Sequence, residues 1–180
     1  MALTQAEYEA ARAEAIKFLE KAGITLRPDE EETLEVADLG LHDLRREGLQ
    51  IITYVNTERC CAKELVLFPY QTCPEHRHPP LDSSNPGKEE TFRCRWGTVY
   101  LYVPGKATPS PQAQPPGPHY SLRKEIILHP GEQYTILPDT PHWFQGGPEG
   151  AVVSEFSTRS TDEHDIFSDP RIQRAPETSG

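Results

Sequence analysis

No run of about 18 apolar residues occurs anywhere in the chain, so no helical membrane span is expected. The opening stretch MALTQAEYEAARAEAIKFLEKAG has no basic segment followed by an apolar core. A secretory signal is therefore not expected, and a cytoplasmic location is. Basic residues are scarce: 18 Lys and Arg stand against 28 Asp and Glu, for a net charge of −10. Nucleic-acid binding needs a basic face, so no nucleic-acid partner is expected. The acidity itself names no partner, because it mainly favours solubility. The four cysteines, Cys60, Cys61, Cys73 and Cys94, form no CxxC pair, which argues against a zinc ribbon. Without an export signal they read as reduced, structural thiols. There is no internal repeat. No Gly-rich loop or basic cluster offers a phosphate clamp.

The residues that are present suggest a β protein with a helical start. Residues 4 to 23 have Ala11, Ala15, Phe18 and Leu19 at helical spacing, and Gly23 closes the run. Thr4 and Glu7 stand as in a capping box. A short helix is expected near Leu41 to Arg46. From Gly48 onward, short runs of β-branched and aromatic residues are separated by Gly and Pro: LQIITYV, AKELVLFPYQT, TFRCRWGTVYLYVPG, SLRKEIILHPG, EQYTILP and GAVVSEFST. This spacing predicts a β-sandwich or barrel. In TFRCRWG, Phe92, Cys94 and Trp96 are expected on one side of a strand, opposite Arg93 and Arg95. Residues 104 to 119, PGKATPSPQAQPPGPH, read as a long exposed loop or linker. The expected division is a helical extension over 1–47 packed on a barrel over 48–174, with a disordered tail over 175–180.

The stretch HRHPP places His76 and His78 on one side of a strand, with Arg77 opposite. Two imidazoles so placed can share one transition-metal ion, or can be exposed polar groups before a Pro-Pro turn. Lys88 and Glu90, two residues apart, share a face if their strand begins early enough. Glu155 shares a face with Val153 in an apolar strand, so it is either inside the barrel or on its rim. The run STDEHDIFSDPRIQR holds Asp162, Asp165, Asp169 and Arg171. It reads as a return segment closing a pocket mouth, or as a solvated charged turn. His42, His119, His129 and His164 fit a surface placement. Trp96, Tyr100, Tyr102, Trp143 and Phe144 read as core or barrel wall.

HxH, then Glu90 with six residues before Gly97, then GEQYTILPDTPHW, which holds His142, resembles the two motifs of the cupin superfamily. NPGKEETFRCRWGTVYLYVPG, PHWFQ and SEFSTRSTDEHDIFSDPRIQR narrow the resemblance to the bacterial D-lyxose isomerase family of cupins, over roughly residues 50 to 174. The resemblance implies an all-β, cupin-type jelly-roll barrel. It implies one divalent metal per subunit, usually Mn2+, on His76, His78, Glu90 and His142. The spacing to Gly97 selects Glu90 over its neighbour Glu89. It also implies a homodimer and a monosaccharide substrate, D-lyxose exchanged with D-xylulose and D-mannose with D-fructose.

In that chemistry a metal-polarised carbonyl lets a proton leave the adjacent carbon through an enediolate. Glu155 is then the expected base at C1 and C2, and Lys88 the expected proton donor, its pKa lowered by the metal. Asp165 and Arg171 are candidates for sugar-hydroxyl contacts. The Pro-rich stretch departs from the family pattern. An iron-dependent cupin oxygenase or a non-catalytic sugar-binding cupin would use the same scaffold.

Overall fold

The structure is a computed structural model, and it describes residues 3–174. The expected disordered tail over 175–180 lies outside the described residues. Helix α1 spans Gln5–Lys21 and carries the capping box expected of its sequence: Glu7 N donates to Thr4 Oγ1, and Thr4 N donates to the Glu7 carboxylate at 2.8 Å. A short helix α2 (Pro28–Thr33) and a strand β1 (Glu35–Ala37) follow. The helix expected at Leu41–Arg46 is instead a series of turns. Leu39 and His42 both take positive φ there, which no helix accommodates.

The remainder is antiparallel sheet: β2 (Leu49–Asn56), β3 (Cys61–Leu67), β4 (Thr72–Arg77), β5 (Glu90–Val103), β6 (Lys124–Leu128), β7 (Gln133–Ile136), β8 (His142–Ser157) and β9 (Ile166–Phe167). Strand β8 is the spine. One edge pairs with β5, and the other pairs with β4 near His142 and with β3 from Ala151 onward. Beyond β5 lie β6 and β7, beyond β3 lie β2 and β1, and beyond β4 lies β9. The sheet curls into a jelly-roll-type barrel, and the fold class is all-β, as the sequence suggests. No helix among the described residues is long and apolar enough to cross a membrane.

Three apolar clusters follow from this curl. The barrel interior holds Ile51, Leu65, Leu67, Phe92, Cys94, Leu101, Phe144 and Val153 with their neighbours. Outside β2, β3 and β8, helix α1 seals the sheet with Ala11, Ala15, Phe18 and Leu19 against Ile52, Val66, Phe68 and Val152. On the opposite wall Tyr100, Tyr102, Ala113, Tyr120 and Trp143 pack together, with Tyr102 stacked on Trp143 at 3.8 Å.

Residues 104 to 119 are, as expected, a mostly exposed loop between two strands, β5 and β6, but the loop is anchored to this third cluster. Ala113 is buried. The Glu125 carboxylate accepts hydrogen bonds from Tyr102 and from the backbone N–H groups of Gln112 and Ala113. The loop is the outer cover of this wall.

Trp96 also departs from simple alternation. It packs on Phe18 outside the barrel, whereas Phe92 and Cys94 point in. The ladder from β5 to β8 slips between Cys94 and Trp96, and the extra residue reverses the parity.

Gly97 sits beside this irregularity with φ 72°, and a Cβ there would lie 2.1 Å from Gly150 O. The glycine of the sequence motif is therefore a backbone requirement. We expect Gly97→Ala to cost at least about 1–3 kcal/mol in urea denaturation. An unchanged midpoint would show that the two strands separate freely here.

Candidate active site

The site occupies the polar end of the barrel interior. On β4, Cys73 pairs with Phe144 and His76 with His142, so three steps on β4 match two on β8. Pro74, which has no N–H to give, sits in this bulge. The extra residue turns Glu75 outward while Cys73, His76 and then His78 face inward. Glu75 is buried against the outer wall, where it accepts from Ser121 N, Leu122 N and the Ser121 and Ser168 hydroxyls. The interior faces of β5 and β8 contribute Glu90 and His142, each at the strand's first residue.

The three imidazoles converge, with potential ligand atoms all within 4.8 Å of one another. Each Nδ1 faces an oxygen acceptor: Pro74 O for His76 at 2.7 Å, Thr140 O for His142 at 2.9 Å, and Asp165 Oδ1 for His78 at 2.5 Å. A carbonyl or carboxylate can only accept, so each Nδ1 carries a proton and each Nε2 is left to coordinate. Glu90 Oε1 lies 2.9 Å from His142 Nε2 and 3.3 Å from His78 Nε2. Among the described residues, neither Glu90 Oε1 nor His142 Nε2 has a hydrogen-bond partner. Two buried lone pairs this close repel unless a cation lies between them. The donor set His76, His78, His142 and Glu90 therefore fits a divalent transition metal. Burial, followed by the neighbouring His142 and His78, holds His76 well below the usual imidazole range, in the neutral form a ligand needs. The neighbouring Glu89 is exposed, with its backbone tied to Thr158.

Beside the imidazoles lies a chain of opposite charges. Lys88 Nζ is 2.9 Å from Glu90 Oε2, 2.5 Å from Glu155 Oε1 and 3.7 Å from Asp162 Oδ1. Burial opposes the charge on Lys88, but Glu155, Glu90 and Asp162 outweigh it and hold its pKa well above the ordinary value. These three carboxylates act against the lowering that a neighbouring metal ion would bring. Lys63 Nζ meets Asp162 Oδ2 at 2.5 Å and Ser160 at 2.9 Å, and Arg174 reaches the same carboxylate at 3.4 Å. The pocket is lined by four carboxylates (Glu90, Glu155, Asp162, Asp165) and three cations (Lys63, Lys88, Arg174). Its other wall is apolar and includes Leu39, Phe92, Phe144 and Phe167. Such a pocket, part apolar and part convergently polar, suits a small polar molecule.

Most of the residues singled out in the sequence meet here: His76, His78, Lys88, Glu90, His142, Glu155 and Asp165. Arg171 does not. Its side chain is 62 % exposed and is held at 2.6 Å by Asp169, away from the pocket lining. Arg174 takes the place inside. Asp165 lines the pocket and is in addition the partner of an imidazole, His78. Lys63 is an addition, and alternation could have found it: it shares the inward face of β3 with Cys61, Leu65 and Leu67. His42, His129 and His164 are exposed and His119 is half-buried; none joins the cluster.

No family model matches the chain. It is similar to a D-lyxose ketol-isomerase of Cohnella laeviribosi, with 60 % identity over 173 residues and 94 % of each chain covered. A D-lyxose/D-mannose isomerase of Thermosediminibacter oceani is 62 % identical over 88 % of this chain and 89 % of its own. The chain belongs to the D-lyxose isomerase family. A third relative in this family, a D-lyxose ketol-isomerase of a Thermofilum species, is 58 % identical over 97 % of this chain and 98 % of its own. Among solved structures, an L-ribose isomerase of Acinetobacter sp. DL28 in complex with L-ribose matches with a TM-score of 0.77 at 17 % identity, covering 96 % of this chain and 97 % of that one. The ligand-free L-ribose isomerase of Cellulomonas parahominis matches at 0.74 and 18 % identity, with 94 % of each chain covered. At such identities these two matches carry the fold alone.

Proposed function

We propose that this chain is a metal-dependent aldose–ketose isomerase that interconverts D-lyxose and D-xylulose, and D-mannose and D-fructose. The observation that carries this reading is Lys88 held between Glu90 and Glu155 beside three convergent imidazoles. Relatives about 60 % identical bear the names of these activities. His76, His78, Glu90 and His142 would hold one divalent ion, and we take it to be Mn2+ because the donor set mixes imidazole with carboxylate. When bound, such an ion supplies Lewis-acid polarisation of the sugar carbonyl.

The chain's own groups then move two protons. The Glu155 carboxylate takes the proton from C2 as the electron pair of that C–H bond becomes the C1–C2 double bond, and returns it to C1. The Lys88 ammonium gives a proton to O1 and recovers one from O2. Atoms and charge balance: the C2 hydrogen ends on C1, and the O2 hydrogen ends on O1. Lys88 is placed for this because its ammonium lies against Glu90 and Glu155. D-Lyxose and D-mannose share the configuration at the reacting carbons, so one arrangement serves both.

The same reading takes residues 48–174 as the catalytic barrel and 1–47 as an extension on it. It makes a monosaccharide the partner, a homodimer the assembly and the cytoplasm the compartment.

The test is a ketose assay on chelator-treated protein. Mn2+, Co2+, Mg2+ or Fe2+ is added back with D-lyxose, D-mannose or D-xylose, with and without oxygen. We expect oxygen-independent ketose, fastest from D-lyxose. Absence of ketose under every metal rejects the proposal, and oxygen consumption with Fe2+ alone would replace it with an oxygenase.

A further inference from the structure

The three imidazoles are not held in the same way. His76 and His142 each donate from Nδ1 to a backbone carbonyl two residues earlier, so forming the local turn orients them. The Nδ1 partner of His78 is Asp165, 87 residues away and outside the eight barrel strands β1–β8. It belongs to the segment 160–174, which crosses the mouth of the pocket.

That segment meets the site repeatedly. Phe167 pairs with His76 across β9 and β4, and their rings lie 5.3 Å apart. Asp162 binds Lys63 and approaches Lys88. Ser168 bonds Glu75 through both its N–H and its hydroxyl. Its own regular structure is slight, a single turn at Asp162–His164 and the two-residue β9, and Ile166 is 45 % exposed. Its order therefore depends on what it docks against. Lys63, Lys88 and Arg174 answer the charge of Asp162, whereas His78 is the close partner of Asp165.

We propose that docking of segment 160–174 and binding of the metal are one coupled equilibrium, with Asp165 as the positioning residue that transmits it. A cation on His78 Nε2 draws electron density from the ring and strengthens the Nδ1–H bond to Asp165. In return the carboxylate raises the basicity of the ligating nitrogen. Coupling of this kind is reciprocal: the segment favours the metal by the factor with which the metal favours the segment. The inference rests on the ligand set proposed above but not on the sugar reaction.

The test uses the full chain, stripped with chelator, and measures two quantities. One is Mn2+ affinity by chelator competition, and the other is amide hydrogen exchange across residues 160–174 with and without Mn2+. We expect Mn2+ to slow exchange in the segment by about tenfold or more. Asp165→Asn keeps the shape and an acceptor but loses the charge, and is expected to weaken Mn2+ by about tenfold; Asp165→Ala approaches about 100-fold. In both variants the protection conferred by Mn2+ is lost from 160–174 and retained in β4 and β8. Affinity within twofold of the unsubstituted chain in Asp165→Asn, or exchange in the segment indifferent to Mn2+, overturns the coupling. Failure of the chain to bind Mn2+, Co2+ or Zn2+ overturns it together with the ligand set. Coupling seen without any isomerase activity upholds it and sinks only the sugar reading.

Discussion

Replacing Glu155 with glutamine will leave bound metal unchanged and lower kcat by about 10²–10⁴-fold, the range for removing a positioned acid–base group. The substitution conserves volume at a buried position and removes both the basicity of the carboxylate and the negative charge facing Lys88. Glu155 touches none of the three imidazoles; its close contact is with Lys88. Metal content should therefore equal that of the unsubstituted chain, and KM should change far less than kcat. Lys88→Ala should behave alike in rate. In heavy water, D-xylulose formed from D-lyxose by the unsubstituted enzyme should carry solvent deuterium at C1 to the extent that Glu155 exchanges its proton before returning it. Metal-replete Glu155→Gln retaining more than a tenth of the original kcat would show that another group is the base. Loss of metal in this variant would make Glu155 part of the metal shell.

The second large effect concerns the ligands themselves. His142→Ala, and equally His76→Ala, His78→Ala or Glu90→Ala, should weaken Mn2+ by more than the roughly 100-fold that marks the loss of an outer partner, and should abolish ketose formation. Glu90 and Glu89 make the sharpest comparison. They are adjacent and chemically identical, yet Glu90 is 2 % exposed with its carboxylate against two imidazoles, whereas Glu89 faces solvent. Glu89→Ala should leave affinity and turnover near their original values. Metal analysis of the purified variants decides it. Full occupancy in Glu90→Ala with loss in Glu89→Ala would reverse the assignment.

Much of this arrangement was legible in the sequence because strand alternation and motif spacing speak directly to which face a side chain takes. Helix α1 with its Thr4 cap, the β-rich body, and the shared face of His76 and His78 follow from local pattern, whereas convergence of His76, His78, Glu90 and His142 inside the barrel is what the cupin resemblance implies. What escaped were consequences of ladder irregularities and of contacts distant in sequence. One extra residue between Cys94 and Trp96 sends Trp96 outside, against a helix some eighty residues earlier. The Pro-rich loop has no apolar period, so nothing local reveals that Glu125 and Tyr102 anchor it. Arg171 and Arg174 are three residues apart in one polar run. Only the path of that run across the barrel mouth decides that the second reaches Asp162 and the first remains outside. The charge state of Lys88 depends on three carboxylates drawn from separate segments, which no short motif records.

The bulge at Pro74 makes the metal centre depend on a count as well as on chemistry. Upstream of it, β4 runs in one phase with β8, and downstream it runs in the other. Pairing β4 with β8 straight through Pro74, with no residue removed, would keep every ligand type in the sequence and restore an unbroken ladder. It would also present Glu75 and Arg77 to the interior and send both imidazoles out toward the loop wall. The bulge, as much as the HxH spacing, therefore sets which face the imidazoles take. A relative that preserves HxH and this residue count but pairs the strand without the bulge would keep the words of the motif and lose its meaning.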